Sequence, residues 1–162
     1  PIPGIEKAGF VSEFLIDRKE AGKQIVIIGG GLAGCEAACY LKENAETVTI
    51  IEMQEDILFG CDHCLNNDQA LRQMLQDNNI NKITKATVTK IEDNRVTYLQ
   101  DNQEYTIVCD TIINAAGFKP NDQLEDALEE IYDDVTVIGD AKAPRKILTA
   151  IHEGYHAIRV ME

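Results

Sequence analysis

An uninterrupted apolar run at residues 25–28, Ile-Val-Ile-Ile, stops at three consecutive glycines and sets the polarity pattern of the chain. A short β-branched run ending in a turn signal predicts a buried strand over residues 24–29. The period then changes. Leu32, Cys35, Ala38, Cys39 and Leu41 share one helical face, so a helix over 32–42 follows the strand directly. A second strand is predicted at 47–52, Thr-Val-Thr-Ile-Ile-Glu, and then a helix at 68–78 that turns Leu71, Met74 and Leu75 inward. Four short alternating segments, 81–84, 86–92, 95–100 and 104–109, with Asp-Asn pairs at 93–94 and 101–102, read as an antiparallel meander. A strand at 111–114, a helix at 124–131, a buried strand at 135–138 and an amphipathic helix at 147–161 complete the pattern. On that last helix Ile147, Ile151, Tyr155 and Ile158 lie about one turn apart. Residues 1–23 lack an amphipathic period and read as an extended lead-in with one helical turn near 12–17. The sum predicts an α/β fold: a Rossmann-like three-layer domain with a parallel sheet plus a small antiparallel β-meander.

The glycines between the first strand and helix carry the chemistry. Gly29, Gly30, Gly31, Leu32, Ala33 and Gly34 form Gly-x-Gly-x-x-Gly in the order strand, turn, helix, the context in which the motif binds a dinucleotide. Gly29 permits the tight turn, Gly31 lets backbone approach a pyrophosphate, and Gly34 lets helix and strand pack closely. The helix N-terminus offers free N–H groups and its positive dipole end to the phosphates. Glu52 ends the second strand at the spacing where this fold puts an acid on the adenosine ribose. A carboxylate there accepts hydrogen bonds from ribose hydroxyls and repels a 2′-phosphate. Met53 follows it, and no Arg or Lys stands at residues 53–56, so the expected preference is NADH over NADPH.

Composition narrows the classes. A chain of 162 residues with 44% hydrophobic and 27% charged residues is ordinary for a globular domain. Its net charge of −13 argues against non-specific binding to nucleic acid or to an anionic membrane surface. No apolar run approaches the ~20 residues of a membrane-spanning helix. With no basic-then-apolar leader and five cysteines, the expectation is a cytoplasmic protein with reduced thiols. Cys61-Asp62-His63-Cys64 is the one tempting metal or redox cluster. A redox dithiol or half a zinc site is weighed against a loop with unpaired thiols, and the loop is preferred because no second ligand pair is present. Cys35, Cys39 and Cys109 read as small core residues, and His152 and His156 as a solvated or interdomain face. No metal ligand and no catalytic residue is assigned.

The segment 29–36, Gly-Gly-Gly-Leu-Ala-Gly-Cys-Glu, resembles the nicotinamide-nucleotide motif of flavoproteins with two dinucleotide-binding domains. Ala115-Ala116-Gly117, ahead of Phe118-Lys119-Pro120-Asn121, resembles their second turn, and Val137-Ile138-Gly139-Asp140 their Gly-Asp motif. The ending Pro144-Arg145-Lys146-Ile147 with Ala150-Ile151-His152-Glu153-Gly154 is similar to the old-yellow-enzyme-type NADH:flavin oxidoreductases, the group of 2-enoate and 2,4-dienoyl-CoA reductases.

This resemblance implies NADH as the cofactor of this chain, held by residues 29–34, Glu52, Met53, Ala116 and Gly117. Glu36 is read either as facing the nicotinamide or as a first-turn acid complementing the helix dipole. It further implies that Asp140, after Gly139, contacts the ribityl chain of FAD. FAD, FMN and an iron–sulfur cluster belong to a longer protein, whose FAD domain and barrel are the partners of this piece. The chain opens at Pro1 with a single glycine fingerprint and reads as an excised portion. Residues 1–23 connect from an FAD domain, 24–117 bind NADH, and 118–162 return to the FAD domain. On this reading the piece alone is inactive. Another pyridine-nucleotide flavoprotein, such as an NADH oxidase or rubredoxin reductase, and a stand-alone NADH-sensing module are the alternatives.

Overall fold

A computed structural model describes residues 2–16, 19–59 and 65–160, with backbone alone for 65–67. In chain order its elements are strand β1 (Gly9–Phe10), helix α1 (Val11–Leu15), β2 (Gln24–Ile28), α2 (Leu32–Lys42), β3 (Thr47–Ile51), α3 (Leu65–Asp77) and β4 (Asn81–Ile83). Then come β5 (Ala86–Glu92), β6 (Arg95–Gln100), β7 (Gln103–Val108), β8 (Thr111–Asn114), α4 (Gln123–Glu129) and α5 (Ile147–Arg159). The chain divides into two compact units, up to Gly117 and from Phe118 onward.

The first unit is a three-layer α/β assembly of Rossmann-like form. Five parallel strands run in the order β1-β8-β2-β3-β4, and β5-β6-β7 form a separate antiparallel sheet. Each central strand alternates between two buried clusters, which explains its continuous apolar sequence. On β2, Ile25 and Ile27 join Val11, Phe14, Cys35, Ala38, Leu71 and Leu75 on the helix side. Val26 and Ile28 join Val88, Ile91, Val96 and Tyr98 under the antiparallel sheet. The middle of α2 is built from Cys35, Ala37, Ala38 and Cys39, all buried and small enough to let the helix lie close to the sheet.

Several expectations are corrected. Asn81–Ile83 does not belong to the meander; it pairs parallel with β3, Thr49 opposite Asn81. A three-residue segment is too short for its period to report which sheet it joins, and the left-handed Lys85 (φ 52°) marks the break before β5. The lead-in is more ordered than its sequence suggests. Gly9 and Phe10 pair with Ile113 and Asn114 of β8, and α1 buries Val11 and Phe14.

Residues 135–138 form no strand and are only partly buried or exposed, because the described residues of the second unit contain no strand to pair with them. Met74 and Leu32 point outward, 49% and 46% exposed, while Leu71 and Leu75 are buried as expected. The apolar residues of α5 are exposed, among them Ile147, Ile151, Tyr155 and Ile158.

Candidate functional site

The turn between β2 and α2 is shaped by contacts that exclude side chains at two glycines and leave a third open. Gly29 has φ +105°, and a Cβ there would stand 2.6 Å from the Ala115 carbonyl oxygen. At Gly34 a Cβ would fall 2.1 Å from the Gly29 carbonyl oxygen, so strand end and helix touch through backbone alone. At Gly31 a Cβ would meet nothing within 4 Å. That open backbone, at the first turn of an eleven-residue helix, is what a phosphate-bearing ligand requires.

Glu52 lies one residue past β3 and is 8% exposed. Its Oε2 accepts the Gly30 N–H at 2.6 Å and its Oε1 accepts the Gln54 N–H at 2.7 Å. Two charge-assisted bonds fix the carboxylate, and each oxygen keeps acceptor capacity for a further donor. A cavity of about 400 Å³ brings together Gly29, Gly31, Glu52, Met53, Ala116 and Gly117. Ile2, Ile28, Ile51 and Val88 give it an apolar wall. Gly117 adopts φ +106° with open space beside it, and the Ala116 N–H is held by Asn114 Oδ1 at 3.1 Å. Glycine turn and acid thus share one hollow across the carboxyl ends of β2, β3 and β8, the place where open α/β sheets take ligands.

The other candidate residues lie elsewhere. Leu32 and Glu36 line a separate hollow of about 600 Å³ with Cys39, Tyr40 and Met74, between α2 and α3. Glu36 is exposed and is the fifth residue of α2, so the first turn holds no acid and the dipole role falls. A third hollow, about 460 Å³ beside Phe14, Lys19 and Asn44, is also remote from the glycine turn. Gly139 (φ +63°) and Asp140 belong to the second unit. There the Gly139 N–H donates to Glu153 Oε2 at 2.8 Å, and exposed Asp140 accepts the Arg145 N–H at 3.5 Å. The Gly139 N–H, offset by desolvation and aided by Arg145, holds the Glu153 carboxyl below its ordinary value.

Cys61, His63 and Cys64 fall outside the described residues. Cys35, Cys39 and Cys109 are buried, and desolvation with the nearby Asp110 charge pushes the Cys109 thiol up to about 11. Among the described residues no three or more His, Cys, Asp or Glu side chains gather as a metal site, and no helix is long and apolar enough to cross a membrane. Sequence reasoning did not assign Ile2, Gln54, Thr87 or Val88 to the hollow. It also did not foresee that the β4–β5 turn sets the Lys85 N–H against the Gln54 carbonyl at 2.8 Å. Only Gln54, two residues beyond Glu52, was within reach of the motif's spacing.

The fold and its glycine turn define a nucleotide-binding domain of the α/β class. More particularly, residues 1–154 match the family described as pyridine nucleotide-disulphide oxidoreductase, and the chain belongs to that family. It is 31% identical over 159 residues to a cinnamate reductase of Clostridium sporogenes, a match covering 98% of this chain and 24% of that protein. To an NADH oxidase of Thermoanaerobacter brockii it is 34% identical over 135 residues, 82% of this chain and 20% of the other. A solved 2-naphthoyl-CoA reductase complex superposes with a TM-score of 0.83 at 30% identity, covering 95% of this chain and 24% of that one. The chain therefore spans about a fifth to a quarter of the length of these relatives. The family uses FAD and a pyridine nucleotide.

Proposed function

We propose that this chain is the NADH-binding portion of an old-yellow-enzyme-like, flavin-dependent reductase, and that it positions the nicotinamide for hydride transfer to FAD. The observation that carries the reading is the convergence of the open Gly31 backbone, the pinned Glu52 carboxylate and Gly117 on one cavity. NADH, when bound, supplies the hydride; the chain's own residues bind and orient it. The α2 N-terminus and Gly31 take the pyrophosphate, Glu52 accepts the ribose hydroxyls, and Ala116 and Gly117 close the rim. Residues 1–23 lead in from an FAD domain while giving β1 and α1 to this unit, and 118–162 return to that domain, with Asp140 reserved for its flavin. FMN and an iron–sulfur cluster lie elsewhere in the longer cytoplasmic protein, and the piece alone does not turn over.

The similarity over almost the whole chain to a cinnamate reductase supports this reading. A second reading, a portion of an NADH oxidase or rubredoxin reductase, is favoured by the 34% identity to the former. The Pro144-Arg145-Lys146-Ile147 ending weighs against it. A stand-alone NADH-sensing module is the third. The binding step is tested by isothermal titration of the 162-residue chain with each dinucleotide. NADH is expected to bind at least about tenfold tighter than NADPH, because burying a phosphate against an anchored carboxylate is repulsive. Equal affinities would defeat the assignment of Glu52.

A further inference from the structure

Residues 52–54 line the cavity at the start of the loop that leaves β3 and runs to residue 58, and one side chain of α3 ties that loop down. Arg72 sends Nε to Asp68 Oδ1 at 2.8 Å, Nη1 to Asp56 Oδ2 at 2.8 Å and Nη2 to the Ile57 carbonyl oxygen at 2.9 Å. Three N–H groups of one rigid fork thus reach three acceptors on two elements. Just beyond, Ile57 and Leu58 are 1% and 0% exposed, and Leu58 is left-handed at φ 59°.

The Leu58 N–H donates to the Gly30 carbonyl at 2.7 Å. On its other side, Gly30 donates its own N–H to Glu52 Oε2. A Cβ on Gly30 would lie 3.0 Å from both Ile57 Cγ2 and Glu52 Cβ, so loop, glycine and acid are packed without slack. The line Arg72, residues 56–58, Gly30, Glu52 is a continuous series of hydrogen bonds and van der Waals contacts.

We propose that Arg72 is a positioning residue that sets the discrimination between NADH and NADPH without touching the cavity. The proposal rests on the NADH-binding reading above. With the loop fixed, Glu52 keeps its Gly30 and Gln54 bonds and cannot turn away from an entering 2′-phosphate. With the loop released, the carboxylate swings toward solvent. NADH then loses an oriented acceptor, whereas NADPH is relieved of an oriented anion.

The test titrates NADH and NADPH into the wild-type chain and into Arg72→Met, Arg72→Lys and Asp68→Asn. Arg72→Met lowers the ratio of NADPH to NADH dissociation constants by about tenfold, the scale of one charge-assisted hydrogen bond. Arg72→Lys lowers it as well, because a compact ammonium cannot span three acceptors. Asp68→Asn acts in the same direction with smaller size, and carries the test if Arg72→Met does not fold. Parallel weakening of both nucleotides, with the ratio unmoved, is the mark of a merely structural residue and overturns the proposal. So does a wild-type ratio in Arg72→Lys, which would reduce the effect to charge. Wild-type chain that binds neither nucleotide overturns the functional reading and this proposal with it.

Discussion

At the scale of single residues, the glycines of the β2–α2 turn answer to two different constraints. Gly34 is fixed by the fold, since a methyl group there overlaps the Gly29 carbonyl oxygen at 2.1 Å and backbone cannot step aside. Gly31 has nothing beside it and ordinary extended geometry. Gly34→Ala is therefore expected to cost about 2–3 kcal/mol, the range of overpacked sites, and to lower Tm by at least about 6 °C. Gly31→Ala keeps the wild-type melting curve within about 1 kcal/mol and loses NADH affinity. Unchanged NADH binding in Gly31→Ala, measured by calorimetry, would separate this glycine from the phosphate.

Asp110 is a residue of another kind. At the opposite end of β2 its Oδ2 accepts the N–H groups of Lys23 at 2.8 Å and Gln24 at 3.1 Å. Desolvation pushes its carboxyl up, but these backbone bonds and the Thr111 hydroxyl outweigh that and leave it below its ordinary value. A carboxyl lowered on folding contributes stability in full above its unfolded value and loses it as pH falls through the folded one. Between about pH 5 and pH 2 the wild-type Tm should thus fall more steeply than that of Asp110→Asn. Parallel slopes would show that the cap is energetically silent.

At the scale of elements, the exposed face of α5 makes a prediction of its own. Ile147, Ile151 and Ile158 are 81%, 61% and 71% exposed on one helix, more contiguous apolar surface than isolated chains usually leave in water. The 162-residue chain is expected to self-associate with rising concentration in sedimentation velocity, and Ile151→Lys with Ile158→Lys to suppress it. A monomer at all concentrations would refute the role of this face.

The elements also show what the sequence can and cannot disclose. β2, α2, β3 and β8 were legible because each is buried on both faces or abuts a glycine, so periodicity and turn chemistry agree. Residues 135–138 have the same apolar run as a core strand, yet a strand exists only where a partner strand lies beside it. Asn81–Ile83 failed for a related reason, because its neighbour is chosen by the crossover through α3 and not by its own three residues. The site divides the same way. Glycines and Glu52 sit at fixed spacing, whereas Arg72 gathers Asp56, Ile57 and Asp68 only after a loop has folded back. Its Asp68–Arg72 spacing of four hinted at an ordinary helix pair and nothing more.

At the scale of the whole first unit, the parallel sheet contributes to both buried clusters. One cluster roofs it with helices and the other with three antiparallel strands. The strand order has a temporal consequence. β8, almost the last residues of this unit, is inserted between β1 and β2, pairing Ile113 with Gly9 on one side and with Ile27 on the other. A ribosome delivers β1, β2 and β3 before β8, so β1 has no strand beside it, and β2 has only β3, until residue 114 has left the exit tunnel. Until then the β8-facing edge of Ile25–Ile28 is unpaired, so nascent chains that end before residue 114 should depend on chaperones for solubility. Closing a loop of that span costs chain entropy, so the insertion of β8 is expected to come late in folding.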